Sequence, residues 1–309
     1  ESLGHDCRFV NTNMINLDKK STSKSAIIDA RSDVVLQAFN DFNPDMVLDI
    51  LGFNISKDVL SSIRKKSVIV KYLLDLIENY QGLNETLSLY EKVYTYETYD
   101  IDNIKKCGAN NVDFLCAAFD SHKYYPLRKE RDIDISFVGQ MYNSAQKKRR
   151  LLLKKIAKDY PQLRCEFYGV FVRPYQIFRF LIWKIKDNGK VFKNYTIRSD
   201  EVNEIYNRSK ICLNINSYQT HETWSSRLLE MMGTKSFVVT DSTKHIEQFL
   251  GKGVVCFNSY ESLKSIINDY LFYEKGRDAV ASKGFNIAQK YTIDRSISQI
   301  VFDYQHKER

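Results

Sequence analysis

Proline is scarce in this chain, four residues in 309, and neither a low-complexity tract nor an internal repeat is present. Long disordered linkers and repeat arrays therefore drop out of the expected architecture. Histidine is equally thin, with five scattered residues, and the six cysteines form no Cys-x-x-Cys pair, so a structural zinc site has little basis. Most of the cysteines, Cys7, Cys107, Cys116, Cys165, Cys212 and Cys256, sit in apolar runs such as FLCAAF and VVCF and read as buried thiols of a reducing compartment. No window approaches 18 consecutive apolar residues, and the opening residues lack the basic-then-hydrophobic order of a signal peptide. The expected location is cytoplasmic.

What the chain does have is positive charge. Its 46 Lys and Arg against 38 Asp and Glu give a formal charge of +8, which favours an anionic partner: a nucleotide diphosphate, a phospholipid surface or nucleic acid. Charge alone does not choose, but no nucleic-acid reading motif is recognisable, so nucleic acid is not expected. The length suits two compact lobes of roughly 130 to 170 residues each.

Short β-rich runs alternate with helical stretches: CRFV (7–10), DMVLDIL (45–51), SVIVKY (67–72), KVYTY (92–96) and DFLC (113–116). A second series, IDISFVG (133–139), CEFYG (165–169), ICLNI (211–215), SFVVT (236–240) and VVCF (254–257), repeats the rhythm. The expected fold is α/β with two Rossmann-like lobes, each a parallel sheet wrapped by helices. The polar stretch FDSHKYYPLRKERD (119–132) is the natural connection, giving lobes 1–128 and 129–290. Helical segments follow at about 259–273, 275–290 and 293–306; the last, within 291–309, is expected to pack back on the first lobe. The opening ESLGHDCRFV reads as a helix end, a Gly turn and a strand, so the first lobe is expected to lack its first strand.

Open α/β sheets bind ligands beyond the carboxyl ends of their strands, which directs attention to the residues just after each strand of the second lobe. After ISFVG come Gln140, a polar loop and a helix opening with Lys147, Lys148, Arg149 and Arg150. Amides and cations there suit a diphosphate; a solvated basic helix face explains the same residues. Candidate ligand contacts at the strand ends are Gly139 and Gln140, Tyr168 and Gly169, Asn216 and Thr240, with Lys147 and Arg149 from the helix. Glu222 and Glu230 stand seven residues apart around a helix start near Ser225, with Arg227 three positions from Glu230. Carboxylates so placed can take sugar hydroxyls while Arg227 meets phosphate; the alternative is an ordinary surface pair. Thr240, Asp241 and Ser242 form a polar turn that either contacts ligand or merely caps the next helix. Two Asp-x-Asp triplets, Asp100–Asp102 and Asp132–Asp134, are not expected to hold metal, because one lies at a helix start and the other at the amino end of a strand. The stretch RPYQIFRFLIWKIKDNGKVFK (173–193) mixes aromatics with Arg173, Arg179, Lys184 and Lys186, as does an interfacial helix or a core helix with a cationic outer face.

From Phe137 onward the order FVGQ, RRLLL, EFYG, YNRSKICLNIN, RLLEMMGTKSFVVTDS, ESLKSIINDYLFYEKGRDAVASKG and YTIDRS resembles the CgeB-type (spore maturation protein-like) glycosyltransferases. LGHDCRFV, PDMVLDI and VIVKYLLD, ending at Asp75, resemble their amino lobe more weakly. The resemblance implies the GT-B form of the twin-Rossmann fold with an inter-lobe cleft, and a hexosyltransferase-like activity, retaining and metal-independent. It also implies a nucleoside-diphosphate sugar donor, UDP-sugar favoured, with no further cofactor and no metal. A glycan, a protein or a lipid-linked molecule would be the acceptor, in polysaccharide biosynthesis, and peripheral contact with the inner membrane face stays open. In related retaining enzymes the Glu, seven residues, Glu pattern places the first acid near the donor sugar and the second on the ribose, roles that pass to Glu222 and Glu230. Arg227 would meet the phosphate. Gln140 departs from the basic residue usual at its position, so Lys147 or Arg149 has to compensate. If the reaction inverts, the base must come from the first lobe, and Asp75 is the candidate. The rival reading is a non-catalytic nucleotide- or sugar-binding module of the same fold.

Overall fold

The computed structural model describes residues 4–12, 23–50, 55–80, 82–141, 146–170, 172, 176–186, 189–216 and 221–306. Arg173 and residues 142–145 and 217–220 lie outside the described residues. The chain divides into two compact units, Glu1–Cys116 and Ala117–Arg309.

In the first unit α1 (Lys24–Phe42) precedes β1 (Met46–Ile50), α2 (Lys57–Arg64), β2 (Val68–Leu73), β3 (Lys92–Thr95), α3 (Ile101–Lys106) and β4 (Val112–Phe114). Local chemistry sets the helix ends. Ser23 Oγ accepts from Ala26 N, while Asn43 turns left-handed at φ 47° and returns its amide to Phe39 O at 2.8 Å, just before Pro44. The four strands are parallel in the order β1-β2-β3-β4 over a core of Leu60, Ile63, Ile69, Leu73, Val93 and Ile104. A hydrogen-bonded ion pair borders that core. Lys71 on β2 is buried and donates to Asp49 Oδ2 on β1 at 2.7 Å, and the Tyr90 hydroxyl donates to the same oxygen at 2.7 Å. Residues 7–10, expected as a strand, pair with no strand among the described residues.

The second unit runs β5 (Ile133–Val138), α4 (Lys147–Asp159), β6 (Cys165–Tyr168), α5 (Ile177–Lys186), β7 (Phe192–Lys193), α6 (Ser199–Arg208), β8 (Ser209–Asn214), α7 (Ser226–Gly233), β9 (Val238–Asp241), β10 (Val255–Phe257), α8 (Tyr260–Leu271), α9 (Glu274–Ala288) and α10 (Ile293–Gln305). Its sheet is parallel in the order β10-β9-β8-β5-β6-β7. Counted from its own first strand this is the doubly wound order 3-2-1-4-5-6, and the direction of winding reverses between β5 and β8. The central strands are largely buried, with Ile135, Phe137, Ile211, Leu213 and Val239 in the core and the polar Ser136, Ser209 and Asn214 buried as well. The α/β expectation of two Rossmann-like lobes is met.

Residues 117–128, which the sequence placed with the first lobe, are held to the second unit. Trp224 Nε1 donates to Ala117 O at 3.2 Å, Phe119 pairs with Thr292 in an isolated parallel bridge, and the amides of Tyr125 and Leu127 donate to Asn203 and Asn207. At the amino ends of the strands Asp132 accepts from Arg164 and Arg208, and Asp134 from Lys210. Ion pairing therefore accounts for this Asp-x-Asp triplet. The Arg208 hydrogen bonds and charge, aided by Arg164, hold the Asp132 carboxyl down at about 2. Asp100 precedes α3 but makes no cap hydrogen bond to its backbone; its carboxylate accepts from Ile77 N and from the Asn103 side-chain amide.

Candidate functional site

Helix α4 explains why one of its opening cations turns inward. Arg149, Leu153 and Ile156 share its buried stripe at helical spacing, whereas Lys147 and Lys148 fall outside it and are exposed. The Arg149 guanidinium lies across the reversal point. It donates Nη1 to Gln140 O at 3.0 Å, beyond β5, and Nη2 to Ile215 O, beyond β8, while stacking 5.4 Å from the centroid of Phe137. Its buried Nε has no hydrogen-bond partner among the described residues. Burial, reinforced by the nearby Arg227 charge and only partly offset by Asp241, pushes the Arg149 pKa down to about 10, so it is still a cation at neutral pH.

Gly139 leaves room for the second guanidinium. A Cβ at this position would stand 3.1 Å from Arg227 Nη1 and 2.8 Å from Phe137 Cζ. Its amide is not available to a ligand, since it donates to Tyr168 O at 2.9 Å, and the amide of Met141 donates to Val170 O. Gly139 thus acts through its missing side chain rather than through its N–H. Gly169 completes the close approach: at φ +132° it would put a Cβ 2.0 Å from Gly139 O.

Helix α7 buries Leu228, Leu229, Met231 and Met232 and leaves Arg227 and Glu230 on its partly exposed side. Burial raises the Glu230 pKa against the opposing Arg227 charge and hydrogen bonds from Ser226 and Tyr124. Tyr124 answers in kind, since burial and the Glu230 charge push its phenol up to about 12. Across the reversal point a polar ladder fixes the ends of β8 and β9. Asn216 N donates to Asp241 Oδ1 at 2.8 Å, and Asn214 Nδ2 donates to Thr240 Oγ1 at 2.9 Å and to Asn216 Oδ1 at 3.1 Å. Burial raises the pKa of Asp241 against the Asn216 amide and Arg149.

Gly139, Arg149, Arg227 and Glu230 are therefore brought together, with Gln140 and Asn216 at the edges and Thr240 buried within the ladder. The other candidates have different surroundings. The Tyr168 hydroxyl is committed to Glu166, and Lys147 is exposed. Glu222 lies in the loop before α7, its Oε1 3.4 Å from Lys244 Nζ and its carbonyl accepting from His245 N. Asp75 belongs to the first unit, where Oδ1 accepts from Leu76 N and Asn79 Nδ2. Sequence reasoning missed Tyr124 and Ser226 as partners of Glu230. Asp241, read as ligand contact or helix cap, instead holds Asn216, and it is Thr243 that accepts from Ile246 N at the next helix start.

Among known protein families, the glycosyl transferase-like family matches residues 147–301, just over half of the chain, a span containing Arg149, Glu222, Arg227 and Glu230. The chain belongs to this family. No curated protein sequence matches it. Solved glycosyltransferases share the fold of this family member at low identity. Anabaena HepE, solved with UDP and glucose, aligns at TM-score 0.66 and 14% identity over 90% of this chain and 81% of its own. An alpha-glucosyltransferase solved with UDP-glucose and DNA containing an abasic site gives 0.68 and 14% over 93% and 87%. A trehalose-6-phosphate synthase studied for glycosyl transfer with retention gives 0.65 and 10% over 96% and 81%.

Proposed function

We propose that this family member transfers a sugar from a nucleoside-diphosphate sugar, with UDP-sugar as the favoured donor, to a hydroxyl of a glycan, protein or lipid-linked acceptor, as a CgeB-type enzyme. The observation that carries the reading is that two guanidiniums, Arg149 bonded to Gln140 O and Arg227 beside Gly139, converge on one turn at the reversal point of the doubly wound sheet. Two like charges held close, one of them buried, call for an anion between them. A diphosphate supplies that charge, and Glu230 then accepts hydroxyl hydrogens of the attached ribose. Glu222, in the loop before α7, is the acid assigned to the donor sugar.

In the reaction the bond from the anomeric carbon to the diphosphate oxygen breaks and a bond to the acceptor oxygen forms. Negative charge grows on the departing diphosphate, where Arg149 and Arg227 stabilise it without reorganisation. In the retaining course the departing phosphate oxygen takes the acceptor proton, so no side-chain base is required. An inverting course would need a base, for which Asp75 is the candidate. Cations supplied by side chains take the place a divalent metal has in other transferases, and the activity is metal-independent on this reading.

Thermal shift with UDP, GDP, ADP and CDP tests the donor. At a hundredfold excess over Kd, UDP should raise Tm by about 5 °C or more. Arg227→Ala and Glu230→Ala should each weaken the response at least about tenfold in ligand concentration. Wild-type affinity in both variants rejects the site. UDP release from a panel of UDP-sugars separates the enzyme from a binding module: binding without hydrolysis or transfer to any acceptor leaves only the module.

A further inference from the structure

Helix α5 has a face that the proposed donor chemistry leaves unused. Phe180 and Trp183 pack against the core of the second unit. Away from them Ile177, Phe178, Leu181, Ile182 and Ile185 form one continuous stripe at helical spacing, and all five are exposed, Phe178 at 84% and Ile185 at 82%. An apolar stripe this open marks a docking surface.

Charge identifies the occupant. From 173 to 186 the sequence has four cations, Arg173, Arg179, Lys184 and Lys186, and no carboxylate. Helical periodicity sets positions 179 and 186 along one border of the apolar stripe and position 184 along the other. Lysine is depleted in the centres of protein interfaces, whereas cations bordering an apolar face suit lipid phosphates while the stripe enters the acyl boundary. A second copy fits poorly, because a twofold contact would set the same cations against each other. With ten residues the helix is about 15 Å long, too short to span a bilayer but long enough to lie in its surface.

We infer that the α5 face docks this protein on the surface of an anionic phospholipid bilayer. The residues that make the contact are separate from those proposed to hold the donor, so docking and donor binding are independently measurable.

The full chain is sedimented with vesicles of phosphatidylcholine mixed with phosphatidylglycerol and with vesicles of phosphatidylcholine alone, alongside a Phe178→Glu/Ile185→Glu variant. Both substituted side chains are exposed, so the variant should keep the wild-type Tm and its response to UDP. Wild type should partition onto the anionic vesicles at least about tenfold more strongly than onto the neutral ones and release as salt rises, and the variant should lose about tenfold or more of that binding. Wild type remaining in the supernatant with both vesicle types overturns the inference, as does a variant that binds like wild type. Concentration-dependent dimerisation lost in the variant, without vesicle binding, assigns the face to a second copy and also overturns it.

Discussion

Glu230 is held where burial works against its charge, and that makes it a pH-sensitive contact. Its folded pKa is raised, first by desolvation, so the stability it contributes is fully present below the unfolded value and is lost as pH rises through the folded value. Donor binding should run the other way, because only the ionised carboxylate accepts both ribose hydroxyls. The ratio of UDP affinities, wild type over Glu230→Gln, should fall as pH drops through a midpoint above the ordinary glutamate range of about 4.3. Titration of UDP's own phosphates is common to both proteins and cancels in that ratio. Calorimetric titration across pH checks it, and a flat ratio removes the ribose role. At this scale the sequence was partly legible. Spacing with Leu153 and Ile156 distinguishes Arg149, which turns inward, from Lys147, which does not. Tyr124 was not legible, because its meeting with Glu230 joins positions more than a hundred residues apart and depends on how 117–132 packs.

Among the elements, paired strands carry the polar groups that most constrain the sheets. Asp49 on β1 and Lys71 on β2 are register partners, and removing the carboxylate leaves a buried ammonium without its counter-charge. Asp49→Ala should therefore lower unfolding free energy by about 3–5 kcal/mol, whereas a replacement of both members by apolar residues of similar volume should cost far less. Denaturant midpoints of the single and double variants measure this, and equal losses would show that the pair itself is not the source. Long apolar runs made most strands readable: nine of the expected segments appear within a few residues of their predicted bounds. Residues 7–10 misled because β-branched and aromatic content gives propensity, and no strand among the described residues pairs with them. With two residues, β7 is too short to leave a period in the sequence, and the role of Thr243 as a cap was hidden among three adjacent cap-forming residues.

For the whole molecule, the alternation of strands and helices foretold the α/β class, but strand order depends on long-range pairing that one sequence does not display. The order β10-β9-β8-β5-β6-β7 is what locates the reversal point, and the proposed donor site rests on Arg149 and Arg227 lying there. The division after Cys116 differs from the expected 128/129 boundary for a related reason: hydrogen bonds to Asn203, Asn207 and Tyr291 tie 117–128 to elements far along the chain. The formal charge of +8 is compatible with both the diphosphate and the lipid surface, so it selects neither. A crystal structure of the chain with UDP bound is the sharpest test of the paired-guanidinium site. The diphosphate should lie between Arg149 and Arg227 over Gly139, with ribose hydroxyls on the Glu230 carboxylate; UDP bound elsewhere, with those two guanidiniums untouched, would refute the assignment.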